Sequence, residues 1–247
     1  MDLTGRHALI TGGSRGIGRA IALALADVGA DVAITYVRDE EAASETAGKT
    51  GGPAYRASIA DLDQTADAVE RAAADLGGLD LVVSNAGIAS RGHTVVDTDP
   101  AELEKVLRVH ALGPHRLAQV ALPHLRRAAR SDLVFISSIA ARTTPPGGAP
   151  YTMGKAAAEA LAHTLAREER AHGVHVNIVA PGLVDTEMGF RLARATAGVA
   201  DIREVDATSP FGHVCSPAEV ADAVIFLVTT GYVTDHRLTV DGGAGGF

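Results

Sequence analysis

Short apolar runs alternate along this chain with longer stretches in which apolar residues recur every three or four positions. His7 to Ile10 is the first such run. Behind it Ile17, Ala20, Ile21, Ala24, Leu25 and Val28 repeat at helical spacing, which predicts an amphipathic helix stopped by Gly29. The same alternation predicts further strands near 31–37, 55–58, 79–84, 133–136, 175–179 and 237–240. Between them lie predicted helices at 40–47, from a cap at Asp61 to about 76, from Asp99 and Pro100 onward, over 156–170, and from Ser216 to about 228. The helix from Asp99 puts Leu103, Val106, Leu107 and His110 on one side. Ser216-Pro217-Ala218-Glu219 is a helix start with a capping serine, a proline in the first turn and a glutamate three positions on. Seven strands separated by helices predict one α/β domain around a parallel, doubly wound sheet. Residues 186–210 break the pattern. They are polar and punctuated by glycine, with Met188, Phe190, Leu192, Val199 and Ile202 as isolated apolar positions, and they predict a mobile lid over a substrate.

Composition narrows the class of partner. The chain has 247 residues, 47% of them hydrophobic, and a formal net charge of −8, which argues against nucleic acid as a partner. One cysteine, Cys215, excludes an internal disulfide and suits a reducing compartment. The start of the chain enters a strand at once, and no apolar run approaches the roughly 20 residues of a membrane helix. A cytoplasmic protein without a membrane partner is expected. Ten histidines are present, yet none sits in a metal-ligand spacing, and His172 and His175 flank a helix end where histidine commonly caps carbonyls. No metal is expected.

Two stretches carry chemistry. Thr11-Gly12-Gly13-Ser14-Arg15-Gly16-Ile17-Gly18 lies between the first strand and first helix, where glycine lets backbone amides approach a pyrophosphate and the helix dipole favours its charge. The second strand ends Thr35-Tyr36-Val37-Arg38, without the carboxylate that would hold adenosine ribose hydroxyls. Arg15 and Arg38 suit a 2′-phosphate instead, so NADPH is expected over NADH unless Asp39 or Glu40 bends back to the ribose. The second stretch runs from Ser138 to Lys155. Tyr151 and Lys155 are four apart at a helix start and leave one face; an ammonium beside a phenol is expected to lower its pKa toward working pH. Ser138, at the end of an apolar strand, can hydrogen-bond the oxygen that exchanges this proton.

Together these residues resemble the short-chain dehydrogenase/reductase family in its single-domain branch, over essentially the whole chain. The turn at 11–18 matches the family's TGxxxGxG, Ser84-Asn85-Ala86-Gly87 matches its NNAG except at the first position, and Ser138, Tyr151 and Lys155 match its serine and YxxxK pair. Pro181-Gly182-Leu183-Val184-Asp185-Thr186 matches the turn that holds the nicotinamide carboxamide. The resemblance implies a Rossmann-type, seven-stranded fold and an NADPH-dependent reduction of a carbonyl. Lys155 would bind the nicotinamide ribose and Tyr151 would pass the proton. Val184 and Thr186 would fix the nicotinamide, Asn85, Ala86 and Gly87 would line the adenosine ribose, and Ile59 would pack near the adenine. The nearest sub-group is the 3-oxoacyl-carrier-protein reductases, which implies a 3-oxoacyl or polyketide-like small-molecule substrate.

His110 stands where the family has asparagine in a proton relay, and a histidine there brings its own proton to the question. Thr234-Asp235 replaces a usual Thr-Gly, and Cys215 replaces a glycine as a small packed residue. Arg126, Arg127 and Arg130 read either as a solvated helix end or as a dock for an acidic acyl carrier protein. The resemblance also implies pairing of two helices across a dimer axis, in a homodimer or homotetramer. An NAD-dependent dehydrogenase of a steroid, sugar or cyclic alcohol, or a nucleotide-binding protein of low turnover, are the alternative functions.

Overall fold

The computed structural model describes residues 2–244. Its elements follow in the order β1 (His7–Ile10), α1 (Gly16–Asp27), β2 (Asp31–Tyr36), α2 (Glu40–Thr50), β3 (Ala54–Arg56), α3 (Leu62–Asp75) and β4 (Leu81–Ser84). Then come α4 (Pro100–Leu107), α5 (Gly113–Leu125), β5 (Ser131–Ile136), α6 (Ala140–Thr143), α7 (Ala149–Glu169), β6 (Val174–Pro181), α8 (Glu187–Ala197), α9 (Pro217–Thr229) and β7 (Arg237–Val240). All seven strands pair in parallel in the order β3-β2-β1-β4-β5-β6-β7. This is the expected Rossmann-type doubly wound sheet. The chain runs outward from β1 to β3 and then crosses back to β4, and ligands bind such sheets where the order reverses, beyond the carboxyl ends of the strands.

Alternate strand residues face opposite layers. Leu9, Leu133, Phe135 and Ile178 pack with Val109, Leu117 and Leu165 on one side; Ile10, Ile34, Val83 and Val134 pack with Ile21, Leu25, Val224 and Leu227 on the other. Each such side chain contributes about 1.5–3 kcal/mol by leaving water. That rigid frame is what fixes the strand ends.

The long helix predicted from Asp99 is interrupted. Residues Arg108–Leu112 form one π-helical turn between α4 and α5. Pro114 explains it: in a regular helix its ring would press on the carbonyl of His110, four residues back, and the wider turn relieves that contact.

The stretch 186–210 is ordered as structure rather than loop. Thr186 caps α8 by accepting from the Gly189 amide, Gly198 closes it at φ 71°, and the segment Ile202–Thr208 is 3₁₀-helical. Ala193, Ile202 and Val214 form a small core with Leu183, Phe190, Val199 and Val205. Met188 and Leu192 stay exposed. Asp235 sits at φ 60°, a region that favours glycine, with its carboxylate 2.5 Å from His163 Nδ1 and 3.4 Å from Arg167 Nε. Cys215 is half-buried, and burial pushes its thiol up to about 11, which leaves it unreactive at neutral pH. Among the described residues no helix is long and apolar enough to cross a membrane, and no group of His, Cys, Asp or Glu is arranged to hold a metal ion.

Candidate active site

The glycine turn and the turn after β4 lock together at the point where the sheet reverses. Thr11 Oγ1 accepts from the amides of Asn85 (3.0 Å) and Ala86 (3.1 Å), while Asn85 Nδ2 donates to the carbonyls of Thr11 (2.8 Å) and Gly12 (3.2 Å). Asn85 therefore shapes the turn with its side chain. Gly12 and Gly16 adopt φ values of 69° and 55°, and a Cβ on Gly18 would lie 2.2 Å from the Gly12 carbonyl. Ser14 is buried, and Ile17 packs inward from the first turn of α1. The backbone from Gly12 to Gly18 is thus closed against side chains and open to a phosphate, as the pyrophosphate of a dinucleotide requires.

The adenosine end is also visible. A cavity of about 370 Å³ beside the end of β2 is lined by Val37, Arg56, Ser58 and Gln64. Asp39 does not turn into it, because its carboxylate caps α2 by accepting from the Ala42 amide at 2.9 Å. Arg38 is exposed at the end of β2. Arg56 is a residue that sequence reasoning missed. Its signal lies in the parallel register, which sets Arg56 beside Tyr36 at the same strand end. Ile59, expected at the adenine, is buried against Gly113 and does not line this cavity. Arg15 points elsewhere too: its Nη1 lies 2.5 Å from Glu187 Oε2 at the start of α8. The residues present fit a dinucleotide bearing a 2′-phosphate: Arg56 lines the cavity and Arg38 is exposed at the same strand end, where both could meet it, while Arg15 is paired with Glu187.

The catalytic candidates converge beyond β5. Ser138 lies two residues past the strand, its main chain held by Ser137 N to Val179 O (2.7 Å) and Ile139 N to Pro181 O (3.0 Å). Pro150 starts α7, so Tyr151 and Lys155 leave its first two turns on one face. The Ser138 hydroxyl is close enough to the Tyr151 phenol to act on it, and Lys155 Nζ donates to the Ile136 carbonyl at 2.7 Å. Lys155 Nζ lies 5.7 Å from the Tyr151 ring centroid. The expected lowering of the phenol is reversed. Burial pushes Tyr151 up to about 12, opposed by the Ser138 hydrogen bond, and burial pulls Lys155 down to about 8, opposed by the charge of Glu159. The ammonium is spent on a backbone carbonyl, which is why desolvation decides the phenol.

His110 sits in the π turn with its ring edge-to-face to Tyr151, centroids 5.2 Å apart. Its Nε2 lies 2.8 Å from the Ile88 carbonyl and 3.2 Å from the Ile88 amide, so its tautomer sets whether it donates to the one or accepts from the other. Burial, with Lys155 nearby, pulls the imidazole down to about 3. His110 is therefore neutral and does not bring an exchangeable charge to the site. It is clamped between glycines: a Cβ on Gly87 would lie 2.7 Å from its Cε1, and one on Gly154 would lie 2.7 Å from its Cβ.

Pro181 and Gly182 form the turn after β6, and Gly182 N donates to Val240 O at 3.0 Å. Val184 is buried in a bridge with Cys215. Thr186 comes to within 3.3 Å of the Cβ position of Gly16, so the turn after β6 meets the phosphate turn after β1.

With this geometry, residues 12–245 match the family model described as Enoyl-(Acyl carrier protein) reductase. An L-fucose dehydrogenase of Mus musculus is 34% identical over 246 residues, 98% of this chain and 89% of that protein. An acetoacetyl-CoA reductase of Rhizobium meliloti (strain 1021) is 32% identical over 240 residues, 96% of this chain and 98% of that protein. A short-chain dehydrogenase from Burkholderia cenocepacia J2315, solved in complex with NADP, superposes with a TM-score of 0.89 at 34% identity, covering 99% of each chain. The chain belongs to the short-chain dehydrogenase/reductase family. It is an oxidoreductase acting on a CH–OH or C=O group.

Proposed function

We propose that this protein uses NADPH to reduce a ketone to a secondary alcohol, on a 3-oxoacyl or polyketide-like substrate, with Tyr151 as the proton donor. One observation carries the reading: Ser138 and Tyr151 come together beyond β5, the serine hydroxyl acting to lower the phenol, with Lys155 one helical turn further along α7. Two donors at one point suit a single oxygen that gains negative charge. NADPH supplies the hydride when bound. The backbone of Gly12, Ser14, Arg15, Gly16, Ile17 and Gly18 would hold its pyrophosphate, Arg38 and Arg56 its 2′-phosphate, and Ala86 and Gly87 the ribose side. Pro181, Gly182, Val184 and Thr186 would hold the nicotinamide.

Ser138 then orients the carbonyl oxygen, and Tyr151 gives up its proton as charge develops there. The phenolate left behind lies near the Lys155 ammonium. Burial keeps the Tyr151 phenol protonated at neutral pH, the state a proton donor needs. His110 braces the ring of Tyr151 from the side and excludes water. The exposed Met188 and Leu192 on α8 suit an apolar acyl chain, and the acetoacetyl-CoA reductase relative has a substrate of this kind.

Arg126 is bound bidentately to Glu169, and Arg130 donates to the carbonyls of Val228 and Thr230, so the arginine cluster offers little to a carrier protein. Arg127 remains exposed and keeps an acidic carrier protein open as the bearer of the substrate, which is a small-molecule carbonyl, carrier-bound or free. The reading extends to a cytoplasmic homodimer or homotetramer, for which Leu112 and Met153 leave apolar surface open. The test follows nicotinamide absorbance with NADPH or NADH and acetoacetyl-CoA, beside L-fucose with NADP, each with a Tyr151→Phe control. Loss with NADPH and acetoacetyl-CoA that vanishes in the variant is the expected result. Turnover of L-fucose alone would replace the substrate class, and turnover that survives Tyr151→Phe would overturn the assignment of the acid.

A further inference from the structure

The stripe of α7 that carries Tyr151 and Lys155 continues one turn further, to Glu159, and all three residues reach the end of β5. Tyr151 meets the Ser138 hydroxyl, Lys155 meets the Ile136 carbonyl, and Glu159 Oε1 accepts from Ser137 Oγ at 2.7 Å. The third contact is itself fastened from the edge of the sheet. Arg237 on β7 donates from Nε to the same Glu159 oxygen at 2.8 Å, from Nη1 to Thr239 Oγ1 at 2.8 Å, and from Nη2 to the carbonyl of Ser138 at 3.1 Å. Arg142 Nε, from α6, stands 3.7 Å from the other carboxylate oxygen. The Glu159 and Arg237 side chains are 9% and 6% exposed. Ion pairs at this depth cost desolvation that an apolar pair of the same volume would avoid, so packing alone does not account for them.

We infer that Glu159 is a positioning residue for the reaction: with Arg237 it fixes the main chain beneath Ser138, and its charge holds Lys155 as an ammonium. This rests on the assignment of Ser138, Tyr151 and Lys155 made above. The groups facing Lys155 are few. Tyr151 and Glu159 share its helix, His110 faces it from the π turn and is neutral, Arg237 lies behind Glu159 on β7, and Arg142 lies on α6. Glu159 is the carboxylate in this set. Without its charge, Lys155 would share a buried space with Arg237 and shed its proton more easily.

The test reads NADPH binding by nicotinamide fluorescence, and acetoacetyl-CoA turnover, each from neutral to alkaline pH, with circular dichroism to confirm the fold. In Glu159→Gln the alkaline midpoint of both moves down by about one pH unit and kcat falls about tenfold. Arg237→Gln moves the midpoint the other way, upward, because Glu159 then keeps only the more distant Arg142 as a cationic partner beside Lys155. Glu159→Asp keeps the midpoint near that of the parent while losing turnover, since the charge stays and the reach shortens. A purely structural role would lower melting temperature and activity and leave every midpoint in place. Folded Glu159→Gln and Arg237→Gln variants with unmoved midpoints overturn the inference. If Glu159→Gln fails to fold, the upward shift in Arg237→Gln decides alone, and its absence is equally fatal. Tyr151→Phe runs in parallel: if it keeps full turnover, the underlying assignment falls and takes this inference with it, whereas an inactive Tyr151→Phe beside unmoved midpoints sinks the Glu159 role only.

Discussion

Lys155 Nζ donates to the carbonyl of Ile136 at 2.7 Å, so the buried ammonium is anchored to the end of β5 rather than to the phenol of Tyr151. That single bond leaves a charge in the interior at a cost. Burial pulls Lys155 from its ordinary 10.5 down to about 8. Below about pH 8 both folded and unfolded chains carry the charge, and the folded chain bears the full penalty, on the order of 3 kcal/mol. As pH rises from about 8 to 10.5 the folded chain is already neutral and the penalty disappears. Lys155→Met is therefore expected to be inactive yet more stable than the parent at pH 7, by roughly 1–3 kcal/mol in urea titrations, with the gain fading from about pH 8 and gone by about pH 10.5. A destabilised variant at pH 7 would contradict this.

His110 makes the opposite demand on acid. Its folded value of about 3 lies below the ordinary 6.5, so the unfolded chain takes up a proton that the folded chain refuses. The neutral ring's contribution is complete above about pH 6.5 and drains away by about 1.4 kcal/mol per pH unit toward pH 3. His110→Asn should show a shallower loss of stability between pH 6.5 and 4 than the parent. Parallel slopes in urea unfolding at pH 7, 5 and 4 would rule out the buried neutral imidazole.

The contact of Arg15 with Glu187 bears on cofactor choice. Arg15 and Glu187 are paired at the surface, where a 2′-phosphate would compete with the carboxylate for the guanidinium. Glu187→Gln should tighten NADPH binding about threefold and leave NADH unchanged, since a surface pair of this kind contributes under about 1 kcal/mol. Arg38→Ala should weaken NADPH by tenfold or more, again sparing NADH. Fluorescence titration with both nucleotides measures each. Equal effects on the two cofactors would take Arg15 and Arg38 out of 2′-phosphate recognition.

Gly154 lies on α7 where any side chain would strike His110, with a Cβ only 2.7 Å from the histidine's own. Gly154→Ala should cost about 1–3 kcal/mol by overpacking. It should also lower turnover by displacing the ring that braces Tyr151, and Gly154→Ala combined with His110→Ala should recover part of both losses. A double variant no better than the single one would exclude the clash.

The parts of this site that were legible in sequence are those carried by neighbours in the chain. The strand, glycine turn and helix at 7–27 are local, as is the four-residue spacing of Tyr151 and Lys155. Glu159 shares that spacing, yet its role depends on Arg237, 78 residues away, and on burial that no motif records. Arg56 enters only through the register of β3 with β2. Glu187 reaches Arg15 across 172 residues. The phenol's pKa went against expectation because charge proximity can be guessed from spacing while desolvation cannot. The helix inside the expected lid at 186–210 was not legible because its polar residues and glycines are caps: Thr186 opens α8 and Gly198 ends it. The π turn was legible in principle, since Pro114 forbids a regular helix over His110.

Arg237 belongs to β7, the last strand in the chain and the edge of the sheet. It is also the residue that ties down the carbonyl of Ser138. A ribosome delivers the phosphate turn within the first twenty residues and the serine, tyrosine and lysine by residue 155. The fastening of that serine waits for residue 237. A nascent chain therefore cannot fasten Ser138 before residue 237 has been made, however early its phosphate turn and its serine, tyrosine and lysine have emerged.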